Sequence, residues 1–185
     1  MGVVNGSAAH VIAVCRSGDH SFSKSRSDEI LLEEGIGIAG DAHAGRTVQH
    51  LSRIRIDPSQ PNLRQVHLIH SELFDELAED GFRLSPGDLG ENITTRGLDL
   101  LGLGRDTILA IGEKARVRVT GLRNPCAQIE AYAPGLLAKV ARRTPDGIVR
   151  KAGIMGVVER SGPVRSGDAI SVFDSPLAHI PLERV

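Results

Sequence analysis

The chain has 185 residues, 41% of them hydrophobic and 24% charged, with 22 basic residues against 23 acidic ones. That length suits one domain spanning residues 1–185, and the balance excludes both a disordered chain and a strongly basic nucleic-acid binder. Aromatics make up 3% with no Trp, which excludes a base-stacking platform for single strands, while 21 Gly and nine Pro favour short strands and turns over a helical bundle.

In chain order, Met1–Ser7 lacks the basic and apolar regions of a signal peptide, and Gly6 stands where a myristoylation pattern wants a hydroxyl. No apolar run approaches the ~18 residues of a membrane helix. A cytoplasmic location is expected, with Cys15 and Cys126 as reduced thiols. Residues 10–15 form an apolar run that predicts a buried strand with Cys15 in the core. Ser17–Asp28 is Ser-rich and reads as an exposed loop. Ile30–Gly45 is punctuated by glycine. Leu51–Leu63, with Pro58 and Pro61, reads as a second loop. Gln65–Ile69 predicts a strand. Ser71 then offers an N-cap for a helix through Asp80, with Leu73, Phe74 and Leu77 on one face and Gly81 at its end. Strands are expected at Thr107–Ile111 and Arg116–Thr120, the second with Val117 and Val119 inward. A helix follows Pro134-Gly135 through Arg142. Two last strands, near Ile154–Glu159 and Ala169–Phe173, flank turn chemistry at Ser161–Asp168. Seven or so strands with two or three helices predict a mainly β barrel with short helices packed outside.

Several groups carry chemistry. Gly35–Gly40 matches the G-x-G-x-x-G pattern, but Leu31-Leu32-Glu33-Glu34 precedes it and no helix-forming segment follows, so a plain glycine loop is the expectation. Asp41 and His43, two apart, face one side of an extended loop and suit metal binding or proton transfer. On spacing alone, a turn cap at Asp41 and a surface histidine at His43 are the expectation. His67 and His70 have zinc-type spacing but no further ligands nearby, so two ordinary histidines are expected. Gly90-Glu91-Asn92-Ile93-Thr94-Thr95 concentrates donors and acceptors behind a Pro-Gly turn. That suits a phosphate or heterocycle, and it equally suits a turn that satisfies its own backbone. Arg123-Asn124-Pro125-Cys126 leaves the most regular strand. A cationic neighbour favours a thiolate at Cys126, although free cysteines are commonly inert.

These pieces, in this order, resemble the MOSC domain, named after the C-terminal domain of molybdenum-cofactor sulfurase. The likeness spans about residues 8–175. It rests on Gly37–Gly45, Arg64–Ile69, Pro86–Leu100, Ile111-Gly112, Arg123–Cys126 and Gly162–Asp168. It implies a MOSC-like β-barrel and binding of molybdenum cofactor, a pterin whose dithiolene holds the metal. By resemblance, Cys126 is the thiolate ligand to molybdenum. Arg64, Asn92, Thr94, Thr95 and Arg123 hold the pterin and its phosphate, and Asp41 and His43 lie near the metal as proton donors. A soft thiolate suits a metal already bound by sulfur.

No ferredoxin domain and no PLP-dependent desulfurase domain accompanies these motifs, so the chain looks like the stand-alone bacterial members. Some of those reduce N-hydroxylated compounds with electrons from partner proteins. The expected activity is therefore a molybdenum-dependent reduction of a small N-hydroxylated substrate, with an external electron-donor protein and neither nucleic acid nor membrane as partner. The alternative is a sulfur or cofactor carrier, in which Cys126 bears a persulfide delivered by a PLP-dependent cysteine desulfurase.

Overall fold

A computed structural model describes residues 8–185, so the N-terminal readings on Met1–Ser7 lie outside the described residues. The chain is mainly β, as expected. Its core is a mostly antiparallel run of strands, some buried throughout and some with alternating burial. β1 (His10–Arg16), β5 (Val66–His70), β6 (Ile93–Arg96), β7 (Ile108–Ile111), β8 (Ala115–Leu122), β11 (Ile154–Arg160) and β13 (Ile170–Asp174) supply its length. In β8, Ala115, Val117 and Val119 are fully buried while Arg116 and Arg118 point outward, the period-2 pattern expected of a strand facing one core.

With β2 (Ser25–Ser27) at one edge, the large sheet runs β13-β7-β8-β11-β5-β6-β1-β2, and β5 with β6 is its parallel pair. β3 (Glu29–Glu33), β4 (Gly37–Ile38) and β12 (Gly162–Arg165) form a three-stranded sheet in the order β12-β3-β4. The sheets share one apolar cluster, in which Val11, Leu32, Leu68, Leu109, Val117 and Ile154 are all sealed from solvent. Each such side chain contributes roughly 1.5–3 kcal/mol.

The expected barrel needs one correction: strand pairing does not close it. β1 and β13 meet only at their first residues, through a bridge between His10 and Ala169, with Val11 N donating to the Asp168 carbonyl, Gly167 N to the Val11 carbonyl and Ile170 N to the Ala9 carbonyl. The reason is local. Asp168 ends a turn in which the Arg165 amide donates to its carboxylate, so the chain enters β13 too late to pair further along β1.

Helices sit outside, as expected, and the one after Ser71 has the expected bounds. α2 (Glu72–Glu79) follows Ser71, whose side chain makes no capping bond, and buries Leu73, Phe74 and Leu77. Three short helices accompany it: α1 (Leu51–Ile54), α3 (Ala127–Tyr132) and α4 (Leu136–Val140). α1 lies in a segment expected to be loop, and α3 directly follows Cys126. The helix expected through Arg142 stops at Val140. Ala141–Thr144 becomes β9, paired with β10 (Gly147–Arg150) in a hairpin that joins neither larger sheet. α2, α3 and α4 share a second apolar cluster around Ile69, Leu73, Leu77, Ile129, Leu136 and Val140. Gly35–Gly40 forms a turn and β4, with no helix after it. Among the described residues no helix is long and apolar enough to cross a membrane.

Candidate functional site

A cleft of about 270 Å³ opens where the loop before β2, the turn after β4, the start of α1, the entry to β6 and the segment after β8 converge. Its lining includes Lys24, His43, Arg64, Asn92, Arg123 and Gln128. It is therefore built from residues scattered over more than half the chain.

One wall begins at Asp41, which is buried. Its amide donates to the Ile38 carbonyl at 3.0 Å, closing the turn after β4, and one carboxylate oxygen accepts from the His43 amide at 2.9 Å. The same oxygen meets His43 Nδ1 at 3.2 Å. The other oxygen accepts from Lys24 Nζ at 2.6 Å, Asn92 Nδ2 at 3.0 Å and the Ser17 amide at 3.3 Å. Burial alone would raise this carboxyl. The His43 hydrogen bonds and the Lys24 ammonium outweigh it and hold the group well below the usual carboxylate range. Lys24 is itself buried, and desolvation draws its ammonium down against the pull of Asp41.

Asn92 completes this wall. Its amide oxygen accepts from the His67 backbone N–H at 3.1 Å, and its Nδ2 also donates to the Cys15 carbonyl at 3.1 Å. One side chain thus ties β1, β5 and the Asp41 turn together. Both of its polar atoms are in use, so Asn92 borders the cleft chiefly as a cross-link. Thr94 and Thr95 are wholly buried and do not line the cleft. The Thr94 hydroxyl donates to Glu91 Oε1 at 3.0 Å, and that of Thr95 faces the Ile69 carbonyl at 3.5 Å. The block from Gly90 to Thr95 is therefore largely strand β6 and an entry whose side chains bond within the protein, Glu91 Oε2 excepted.

The Pro86-Gly87 turn has a clear task. Gly87 and Gly90 have φ of +93° and +81°, and a Cβ on either would collide with the carbonyl of Lys24 or of Phe22. The turn packs backbone to backbone on that loop, and the Lys24 amide donates to the Gly87 carbonyl at 2.9 Å. Two glycines thus seat Phe22 and Lys24 in the cleft.

The opposite wall is cationic and less saturated. Arg64 lines it, with one guanidinium nitrogen on the Val185 carbonyl, and burial lowers its pKa to about 10, so it stays charged at neutral pH. The Arg123 amide is fixed on the Gly153 carbonyl at 3.0 Å, and its guanidinium lies 5.9 Å from the Phe22 ring centroid. Its Nη1 is buried without a hydrogen-bond partner. Desolvation pulls the guanidinium pKa down, while Cys126 and Glu91 work against that. Glu91 is fully buried beneath, with Oε2 unpartnered and its carboxyl pushed up by desolvation. Cys126 is half-buried in extended backbone just before α3. Its thiol is not part of the lining but lies 3.5 Å from Gln128 Oε1, which is.

The mouth carries three histidines. The His43 ring centroid is 5.2 Å from that of His20 and 4.6 Å from that of His50. Burial, reinforced by His43 and Arg64, lowers His50 to about 3. His67 is also down at about 3 through burial; it is neutral, and its Nε2 lies 2.8 Å from the Ala152 carbonyl, which only an N–H can satisfy. His70 lies outside the cleft, and Cys15 is core, its thiol pushed up to about 12 by burial. Among the described residues no three His, Cys, Asp or Glu side chains converge as a metal site.

Sequence reasoning missed Lys24, His20 and His50. All three stand in polar segments read as loops, and no spacing marks a lysine in a Ser-rich run as buried. Of His67 and His70, expected to be ordinary histidines of which one could still line a site, His67 borders the cleft.

A family model described as MOSC domain matches residues 43–171. Among solved structures, the YuaD protein from Bacillus subtilis is 28% identical, with a TM-score of 0.71, covering 88% of this chain and 94% of that one. YiiM from Geobacillus stearothermophilus is 15% identical at a TM-score of 0.65, covering 94% and 79%. YiiM from Escherichia coli is 19% identical at 0.62, covering 92% and 72%. The two YiiM structures show the shared fold. No curated protein matches the chain.

Proposed function

The chain belongs to the MOSC domain family, whose members are associated with molybdenum cofactor, and on that premise we propose that its cleft holds the cofactor and reduces N-hydroxylated compounds. The observation that carries this reading is Arg123. Its Nη1 is buried and unpartnered, three residues before a half-exposed cysteine, in a cleft that also presents Arg64 and Lys24. A buried cationic donor without a partner costs stability and is kept where a ligand completes it. An anionic phosphate answers that need in charge and in hydrogen-bond geometry. The donor set also fits. With one soft sulfur beside the cleft and, among the described residues, no converging ligand cluster, the site suits a metal that arrives already bound, as in a pterin dithiolene.

Arg123 and Arg64 would hold the phosphate, and Cys126 would supply the thiolate. When bound, the group supplies a two-electron couple for breaking an N–O bond. The chain's own residues manage protons and water. The Asp41 carboxylate orients His43 through Nδ1, which leaves Nε2 as the atom that takes up and releases a proton in the cleft. The same carboxylate holds the Lys24 ammonium in place. Asn92 acts as a positioning residue, because its amide fixes the Asp41 turn on β1 and β5.

The test is purification from a host that makes the cofactor, with molybdenum measured by mass spectrometry and pterin by fluorescence after oxidation, beside Cys126→Ser and Arg123→Gln. Near-stoichiometric metal and pterin, with metal lost in Cys126→Ser and pterin weakened in Arg123→Gln, is the expected result. Dye-driven turnover of an N-hydroxylated substrate then completes it. Pterin bound independently of Cys126 would favour the carrier reading, with the thiol bearing a persulfide. Neither metal nor pterin after reconstitution would sink the reading.

A further inference from the structure

We propose that the β9–β10 hairpin is the docking surface for an acidic electron-carrier protein. This rests on the reductase reading above and names the partner that reading requires. Reducing R–NHOH to R–NH2 and water breaks one N–O bond and consumes two electrons and two protons. The chain has two cysteines in all, too few for the four thiolates of an iron–sulfur cluster. The electrons therefore come from a reduced carrier, through two one-electron oxidations of a flavodoxin- or ferredoxin-type protein.

The hairpin is unlike the rest of the molecule. Lys139, Arg142, Arg143, Arg150 and Lys151 against Asp146 alone give residues 139–151 a charge of +4, in a chain whose net charge is −1. Lys139 pairs with Asp80 at 2.8 Å and Lys151 with Glu76 at 2.5 Å, both on or just after α2. Among the described residues Arg142, Arg143 and Arg150 have no ion-pair partner. The pairing register sets Arg142 opposite Val149 and Arg143 opposite Ile148, and both aliphatic side chains are more than 40% exposed. Each face of the hairpin thus carries an arginine beside an apolar side chain.

A two-stranded sheet with no third strand is marginal unless something packs on it. One face borders a groove of about 230 Å³ with Lys139, Arg142, Val149 and Lys151 on its walls. The hairpin is also coupled to the thiol. Cys126 opens α3, α4 leads directly into β9, and α3 and α4 share one apolar cluster. Cations mixed with aliphatics suit the acidic, partly apolar rim of an electron carrier, a class of small, electrostatically steered encounter. A nucleic acid fits less well. The hairpin has no aromatic side chain for stacking, and the rest of the chain carries a net −5 that repels phosphate.

The test uses the cofactor-loaded full chain, with an acidic [2Fe–2S] ferredoxin and a flavodoxin as probes, against Arg142→Glu/Arg143→Glu/Arg150→Glu. Far-UV circular dichroism and melting temperature verify that the variant folds. The expected result is a tenfold or larger drop in carrier association rate at low salt, with the difference erased near 1 M salt, where screening is complete within about 3 Å. Metal content and dye-driven turnover should not change. Failure of both carriers to bind, binding that ignores the substitutions, or an equal loss toward duplex DNA would overturn the docking surface. Absence of dye-driven turnover in the wild type would overturn the reductase reading instead, and with it electron delivery as the purpose of docking; the binding titration would still decide whether the hairpin holds an acidic partner.

Discussion

The two walls of the cleft are made of similar residue types and behave differently. Lys24 and Asn92, backed by Asp41, form a wall whose polar atoms are partnered within the protein, while Arg64 and Arg123 form one with spare capacity, with Cys126 behind it against Gln128. A saturated polar wall is architecture, because each bond offsets the desolvation of its neighbours. An unsaturated wall gains its partners from whatever enters. Adjacency to a cleft therefore does not by itself make a residue a ligand.

The contrast is broken hardest at Asp41. Asp41→Ala strands the Lys24 ammonium in the interior and removes the hydrogen-bond partner of four further nitrogens, on Ser17, His43 and Asn92, and a loss of about 3–5 kcal/mol is expected in denaturant unfolding. If that variant does not fold, Asp41→Asn tests the same bond more gently and should still destabilise. Next comes Asn92→Ala, which leaves the His67 N–H and the Cys15 carbonyl unpaired; about 2–3 kcal/mol is expected, read by the same unfolding curves.

Acid titration separates the walls in a third way. His67 and His50 are lowered from 6.5 to about 3, so the unfolded chain binds protons more readily between those values. Stability should therefore fall as pH drops from about 6.5 toward 3, and His50→Asn should flatten part of that slope. Below the usual aspartate range, Asp41 adds a second loss, since its depressed carboxyl stabilises the fold only while ionised. A thermal-melt series against pH that stayed flat from 7 to 4 would contradict both assignments.

The smallest stability effects belong to the open wall. Cys126→Ser should change stability by no more than about 0.5 kcal/mol. Arg123→Gln should leave stability unchanged or slightly raised, because it removes a buried charge lacking one partner. Its effect should appear in pterin affinity, at about tenfold or 1.4 kcal/mol. A large stability loss in Arg123→Gln would move that residue to the architectural wall.

Much of the scaffold was legible before the structure. β1, β5, β8 and β11 follow from apolar runs and alternation, and α2 from Leu73, Phe74 and Leu77 at helical spacing. The β9–β10 hairpin was not legible, because Leu136-Leu137-Ala138-Lys139-Val140 reads as helix and nothing in Ala141–Thr144 marks the change to strand. At the site, His43, Arg64, Asn92 and Arg123 were named from sequence and line the cleft, with Asp41 buried behind His43 and Lys24. Thr94 and Thr95 were named too, and are turned into the interior by β6.

The amino-acid sequence by itself determined the mainly β class, the core faces of the main strands, the buried Cys15 and the family to which the motifs belong. The first three follow from periodicity and local chemistry, which act over a few residues, and the family from the resemblance of the motifs in their order. Only the tertiary structure decided which polar groups are spent and which are free. Lys24 meets Asp41 seventeen residues away, and Asn92 meets Cys15 at a separation of 77. Such pairings are set by sheet register and by two glycine turns pressing backbone on backbone, and neither leaves a mark in local sequence.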